Sequence, residues 1–290
     1  MSIRKIINKD INFLIIGLGL MGGSYAKALK KHGFYVEAIE KNAESIKYAL
    51  SEGIIDAGNT ETTKEAVQRA DIIVFALYPH VFLYWLQLYR DYIKKETVIT
   101  DVTGVKTVIV EKVQQALGDR AEFIAAHPMA GREVYGVQNS DERIFTGANY
   151  IVVPTEKNTE GAIEVCTQLG ELLGFSKISV LSPEEHDAMI AFLSQLTHAI
   201  AVALMCTNGD PKLCDYTGDS FRDLTRIANI NDDMWSELFL MNKEALLSQT
   251  DAFIEQITKM RDMLKEDDRE GLRKMMRTST ERRRRFNKQK

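Results

Sequence analysis

The run Gly17-Leu18-Gly19-Leu20-Met21-Gly22 is a GxGxxG sequence set between an apolar stretch, Phe13 to Gly17, and a helical one. The spacing suits phosphate binding: the first glycine permits a tight turn, the second lets the backbone approach a pyrophosphate, and the third lets helix and strand pack closely. Amides and the dipole at the helix start then hold the phosphates. Glu40 follows Gly22 by 18 residues, near the offset of about 20 expected of a carboxylate that binds a ribose 2′-hydroxyl. A 2′-phosphate there would meet its negative charge, which favours NAD over NADP, although Lys41 beside it could neutralise such a phosphate.

Three further segments each follow an apolar strand and so reach the open edge of a sheet, where α/β proteins bind ligands. They are Leu77-Tyr78-Pro79, Asp101 to Lys106, and His127 to Gly131. Leu77 and Pro79 join the cofactor-binding set of Gly17, Leu18, Gly19, Leu20, Met21, Gly22 and Glu40. His127 is placed for acid–base work, whereas His32 and His80 have no such placement. Farther on, His186, Ile190, Ser194 and His198 form an i, i+4 row, so Ser194 and His198 share a helix face; a satisfied buried polar pair is the bland alternative. Asp223 and Arg226 stand one turn apart, the spacing of a solvated ion pair. The basic run Arg282 to Arg285 reads as a solvated helix end.

The elements that must position these residues alternate at first. Strands are expected over Asn12–Gly17, Tyr35–Glu40, Asp71–Ala76, Thr97–Asp101, Glu122–Ala126, Tyr150–Pro154 and Lys177–Leu181. Helices are expected over Met21–His32, Ala43–Glu52, His80–Lys94, Lys106–Leu117 and Thr159–Leu173. Several strands are almost wholly apolar, as strands covered on both faces read. Ser182-Pro183-Glu184-Glu185 then starts a helix with a serine cap, a proline at the first position and acidic residues over the positive dipole end. Beyond it no strand is expected. A stripe of Phe239, Leu246, Phe253 and Met260, flanked by Leu247, Ile254, Ile257 and Leu264, must pack on other helices or on a second subunit. The expected architecture is an α/β Rossmann-type dinucleotide-binding domain (1–181) followed by an all-α C-terminal substrate and dimerisation domain (182–290).

With 290 residues, 45 % hydrophobic, and a net charge of −4, the chain is large enough for two domains and has no global attraction to nucleic acid. Its three cysteines are widely spaced and argue against a disulfide framework or a metal site. No uncharged apolar run is expected to approach the roughly 18 residues of a membrane span, and a cytoplasmic, non-membrane protein is expected.

Taken together, GLGLMGGS (Gly17–Ser24), TDVTGVK (Thr100–Lys106), AAHPMAGRE with Gly136 after it, EEHDAMIAFLSQLTH (Glu184–His198) and SFRDLTRIANINDDMW (Ser220–Trp235) resemble the prephenate dehydrogenase family. The resemblance implies a small-molecule substrate, prephenate, oxidatively decarboxylated to 4-hydroxyphenylpyruvate with NAD, in tyrosine biosynthesis by a homodimer. It implies catalytic roles for His127, on the substrate's ring hydroxyl, and for His198 and Ser194. Arg226 would bind a substrate carboxylate, and Glu133 and Trp235 would lie at the pocket rim. Family members often carry serine at Gly104, where Thr103 would have to supply the hydroxyl, and histidine at Gln195. Arogenate dehydrogenase is the near alternative. A β-hydroxyacid dehydrogenase would want a catalytic lysine in the helical domain, and a non-catalytic dinucleotide sensor would not need His127.

Overall fold

A computed structural model describes residues 7–132 and 134–286. Strands β1 (Asn12–Ile16), β2 (Tyr35–Ile39), β3 (Ala57–Asn59), β4 (Ile72–Phe75), β5 (Val98–Asp101) and β6 (Glu122–Phe123) form a parallel sheet in the order β3-β2-β1-β4-β5-β6. This is the doubly wound order of a dinucleotide-binding fold. Strands β7 (Ala125–Pro128), β8 (Asn149–Val153) and β9 (Lys177–Val180) make a second sheet, with β7 antiparallel to β8. Six helices accompany the strands: α1 (Leu20–Lys31), α2 (Ala43–Ser51), α3 (Lys64–Arg69), α4 (Pro79–Tyr89), α5 (Thr107–Leu117) and α6 (Glu160–Leu172).

Alternation along β1 sends its side chains to two cores. Phe13 and Ile15 pack with Tyr25, Leu29 and Val165 from α1 and α6, while Leu14 and Ile16 pack with Phe82, Leu86, Ile109 and Val113 from α4 and α5. The first sheet is therefore covered on both faces, which is why its strands read as continuous apolar runs.

The strand expected over Glu122–Ala126 is in fact two. Backbone pairing to β5 reaches Ile124, whose N–H donates to Ile99 O at 2.9 Å. The next inward amide, Ala126 N–H, donates instead to the Asp101 carboxylate at 3.1 Å. Lys106 Nζ donates to Ala126 O at 2.5 Å and to Asp101 Oδ2 at 2.7 Å. A side-chain ion pair thus replaces the ladder at this point and turns the chain into the second sheet. Strand β3, Ala-Gly-Asn, is too short and too mixed to carry a strand pattern, and the sequence reading missed it.

After Ser182 the described chain is helical: α7 (Pro183–Ile190), one π turn (Ala191–Gln195), α8 (Leu196–Thr207), α9 (Asp219–Thr225), α10 (Asp232–Met241), α11 (Lys243–Lys265) and α12 (Arg269–Arg284). Ser182 caps α7 as expected, and Glu185 adds a return bond by accepting the Ser182 N–H. Residues 1–242 and 243–290 make two compact units. In the second, α11 and α12 bury no side chain, and Leu247, Ile254, Ile257 and Leu264 stand exposed.

The expectation about membrane-length runs needs correction. Ala188 to Thr207 contains no Asp, Glu, Lys or Arg, and the helical run Pro183–Thr207 is long and apolar enough to cross a membrane by length and composition alone. It is not uniformly apolar, however. Gln195 is buried at 1 % exposure, donates to Leu238 O at 3.0 Å and accepts from Asn242 Nδ2 at 2.7 Å.

Lys106 and Asp101 are both 0 % exposed at the side chain, so removing one leaves the other charged and dry. Lys106→Met is expected to destabilise the protein by about 3–5 kcal/mol. Urea unfolding of the variant against the native chain measures it.

Candidate active site

The glycine turn is built as its spacing implies. Gly17 has φ +95°, and a Cβ there would fall 2.4 Å from Ala76 O at the end of β4. A Cβ on Gly22 would fall 2.0 Å from Gly17 O, so helix and turn touch backbone to backbone. A Cβ on Gly19 would meet nothing within 4 Å. No contact within the described protein therefore requires glycine at position 19. The N-terminus of α1 also has no side-chain cap, unlike α2, α3, α6 and α7, which use Asn42, Thr63, Thr159 and Ser182. Open backbone at an uncapped helix start fits a dinucleotide's phosphates.

Glu40 borders this turn. Its two oxygens accept the N–H groups of Leu18 and Asn42, each at 2.9 Å. Each carboxylate oxygen keeps a second lone pair for a hydroxyl donor. Leu18 itself is buried in the core, so only its backbone faces the turn. Leu20 and Met21 are half-buried in the first turn of α1. Leu77 leans over Gly17, its Cδ2 lying 2.8 Å from where a Gly17 Cβ would be. Pro79 is buried at the first position of α4 and fixes that turn.

Tyr78 and the start of α4 are clasped to α10 and its cap residue Asn231. Glu237 accepts from His80 N at 2.8 Å and faces His80 Nδ1 at 2.8 Å, and Asn231 Nδ2 donates to Tyr78 OH at 3.1 Å. His80, set aside on sequence grounds, thus ties α4 to α10.

His127 lies within β7, opposite Ile151 of β8. Its Nδ1 is 2.8 Å from His186 Nε2, and His186 Nδ1 is 2.7 Å from Asp187 Oδ1. Asp187 in turn accepts the N–H groups of Lys106 and Thr107, at 2.8 Å each, and so caps α5 from another helix. Burial pushes His127 well below the usual imidazole range, with His186 and the Lys106 ammonium adding to it. Burial also lowers His186, against the pull of its Asp187 hydrogen bond. For Asp187 burial opposes ionisation, but the bonds from His186, Thr107 and Lys106 outweigh it and hold the carboxyl below its ordinary value. Sequence reasoning placed His186 only on a helix row. Its partnership with His127 spans 59 residues, and no local pattern announces it.

The other expected residues gather around α8. His198 Nδ1 donates to Ser194 O at 2.9 Å, and its ring stacks on Trp235 of α10 with centroids 3.8 Å apart. Arg226 is exposed in the turn after α9, a turn that packs on α8. An i, i+3 ion pair of this region joins Arg222 to Asp219 at 2.7 Å. Ser194 is half-buried. Glu133 lies outside the described residues.

Two expectations change. Thr103 cannot stand in for a serine at position 104 as a hydroxyl offered to substrate. It is buried, its hydroxyl is bonded to Asp101 and Val105 O, and it accepts from Lys106 Nζ at 3.2 Å. Gln195 acquires a definite place, bridging α8 to Leu238 and Asn242 inside the protein rather than facing the crevice.

Residues 25–178 match the family described as prephenate dehydrogenase, nucleotide-binding domain, and residues 182–278 that described as prephenate dehydrogenase, dimerization domain. The chain is 32 % identical over 275 residues to a prephenate dehydrogenase of Bacillus subtilis (strain 168), covering 92 % of this chain and 73 % of the relative. It is 35 % identical over 250 residues to one from Lactococcus lactis subsp. cremoris (strain MG1363), covering 83 % and 67 %. A crystal structure of prephenate dehydrogenase from A. aeolicus in complex with hydroxyphenyl propionate and NAD+ superposes with a TM-score of 0.86 at 30 % identity, covering 94 % of this chain and 98 % of that one.

Because His127 and His186 both have pKa values lowered by folding, the unfolded chain binds more protons than the native one just below the unfolded value of about 6.5. Stability is then full above that pH and declines as pH falls toward the folded values, by up to roughly 1.4 kcal/mol per pH unit for each histidine. Urea midpoints at pH 7.5, 6.5 and 5.5 are expected to fall in that order. A flat profile would mean that the fold leaves both rings unperturbed.

Proposed function

The chain belongs to the prephenate dehydrogenase family, and from that premise we propose that it oxidatively decarboxylates prephenate to 4-hydroxyphenylpyruvate with NAD, a step toward tyrosine. The observation that carries this reading is His127: a neutral imidazole at the crevice, bonded through Nδ1, with no hydrogen bond at Nε2 among the described residues. Such a nitrogen can accept a hydroxyl proton.

The backbone from Gly17 to Gly22 would hold the dinucleotide's phosphates, and Glu40 would accept from its ribose, which favours NAD. Leu77 and the turn fixed by Pro79 would border it. When bound, NAD supplies the hydride acceptor for the hydroxyl-bearing ring carbon. His127 Nε2 takes the hydroxyl proton as carbonyl character develops there, and loss of carbon dioxide leaves the ring aromatic. Proton acceptance of this kind contributes about 10²–10⁴-fold. Arg226 offers a planar fork to a substrate carboxylate. His198, held by Ser194 O and stacked on Trp235, would serve the same substrate.

We also propose that the helical part, from residue 182 onward, serves substrate binding and dimerisation in a cytoplasmic homodimer. The match of residues 182–278 to a dimerization domain supports it, as do the uncovered apolar side chains of α11 and, on the long helical run, Phe192, Leu193 and Met205. Light scattering at micromolar concentration is expected to give twice the chain mass of 32.8 kDa. A stable monomer would refute the dimer.

An NADH-absorbance assay with prephenate and with arogenate, each with NAD and NADP, tests the activity; turnover is expected with prephenate and NAD. His127→Asn should lower kcat by about 10²-fold or more with a modest change in KM, because its bond strengthens only as the proton moves. Arg226→Ala should raise KM strongly and lower kcat less, because the carboxylate is present in ground and transition states alike. An unchanged KM in Arg226→Ala removes that arginine from the site.

A further inference from the structure

The positions of the protons in the His127–His186–Asp187 chain follow from its acceptor end. Asp187 accepts from Lys106 N and His186 Nδ1 on Oδ1 and from Thr107 N on Oδ2. Two of these donors open α5, where the dipole favours negative charge. An ionised carboxylate only accepts, so His186 Nδ1 carries the hydrogen. His186 is wholly buried, and burial disfavours its charged form. A neutral ring with hydrogen on Nδ1 has a bare Nε2. The hydrogen in the 2.8 Å contact between the two rings therefore belongs to His127 Nδ1. That leaves the lone pair of His127 on Nε2. An imidazole free in water favours the opposite tautomer, so the partner makes the selection.

We propose that His186 and Asp187 are positioning residues for the reaction: they hold His127 in the tautomer whose Nε2 accepts the substrate proton, and they spread the positive charge that His127 then gains. The inference rests on His127 being the proton acceptor, as in the function proposed above. The step balances without any further reactant. The substrate O–H bond breaks, an N–H bond forms at His127 Nε2, and the hydrogens on His127 Nδ1 and His186 Nδ1 stay in place. The resulting imidazolium donates to His186 Nε2, and His186 donates to a carboxylate. This is the logic by which an aspartate orients and supports a catalytic histidine, lengthened by one ring. Packing alone does not explain the pair, since a buried polar chain of this kind is no more stabilising than apolar groups of the same volume.

The test uses His186→Phe and His186→Gln in the full chain. Phenylalanine fills the space but accepts no hydrogen bond; glutamine can present its oxygen to His127 Nδ1–H and its amide to Asp187. Imidazole 15N spectra of the ligand-free protein report the tautomer directly. In the native chain His127 is expected to show a protonated Nδ1 and a bare Nε2. His186→Gln should keep that pattern and His186→Phe should reverse it. In the assay His186→Phe is expected to lose about 10²-fold or more in kcat with KM for prephenate little changed, and His186→Gln to recover much of the loss. A native His127 with its hydrogen on Nε2, or a folded His186→Phe with native kcat, overturns the proposal. If His186→Phe does not fold, the native spectrum and the glutamine variant decide. If the native protein turns over neither prephenate nor arogenate, the function falls, while the 15N spectrum still decides whether the tautomer is set as described.

Discussion

The arrangement depends on one buried ion pair, Lys106 with Asp101. Between them they hold both backbone groups of Ala126: Asp101 Oδ1 takes its N–H and Lys106 Nζ takes its carbonyl. Ala126 is the residue before His127, so a side-chain clamp fixes the backbone from which the ring projects. The clamp's other bonds leave it no slack. Asp101 Oδ2 also accepts from Thr103 N at 3.0 Å and from the Thr103 hydroxyl, and the Lys106 and Thr107 amides are fixed by Asp187. A buried charge pair is weak support for stability when compared with apolar filling. Its value here is geometric, because apolar side chains could not redirect β6 into β7 while keeping Ala126 satisfied.

The same pair sets the electrical surroundings of the histidines. Burial pulls the Lys106 ammonium toward neutrality, and Asp101 pulls it back. What positive charge remains is felt by His127 and His186, both of which it pushes toward the neutral form. Asp187 acts on His186 in the opposite sense. Burial is the larger influence on both rings, so the structure presents neutral imidazoles beside fixed charges. In the function proposed above, a base prepared in this way would need no proton removed before it acts.

Local spacing made part of this legible. The glycine turn, the position of Glu40 beside it and the Ser182 cap are decided by residues within one or two elements, and the structure has each where local spacing implies it. The split of Glu122–Ala126 was not legible, since nothing between Phe123 and Ala125 marks a break; the break comes from Asp101 competing for an amide 25 residues away. Thr103 looked like a free hydroxyl at a strand end because only three-dimensional packing shows that Lys106 turns back over it. The uncharged run Ala188–Thr207 was overlooked because its polar residues, Ser194, Gln195, Thr197 and His198, interrupt the apolar pattern. The structure shows Gln195 among them to be an internal bridge.

The His127–His186 contact also joins two family-matched segments within the one compact unit, residues 1–242. His127 falls in the segment that matches a nucleotide-binding domain, and His186 and Asp187 fall in the segment that matches a dimerization domain. On the proposals above, the proton acceptor comes from the first of these segments and its tautomer is set from the second. Asp187 reinforces the dependence, because the carboxylate that orients His186 also caps α5 of the first domain. Any loosening of α7 from the sheet edge would uncap α5, carry His186 and Asp187 together away from His127, and free His127 to take its solution tautomer. The glycine turn would survive such a loosening, being built from β1, α1, the end of β4 and the end of β2 with Glu40 after it. Dinucleotide binding is in this respect a local property of the first domain, while readiness of the base is a property of the docked pair. An isolated first domain that bound cofactor would therefore say nothing about whether its histidine could accept a proton.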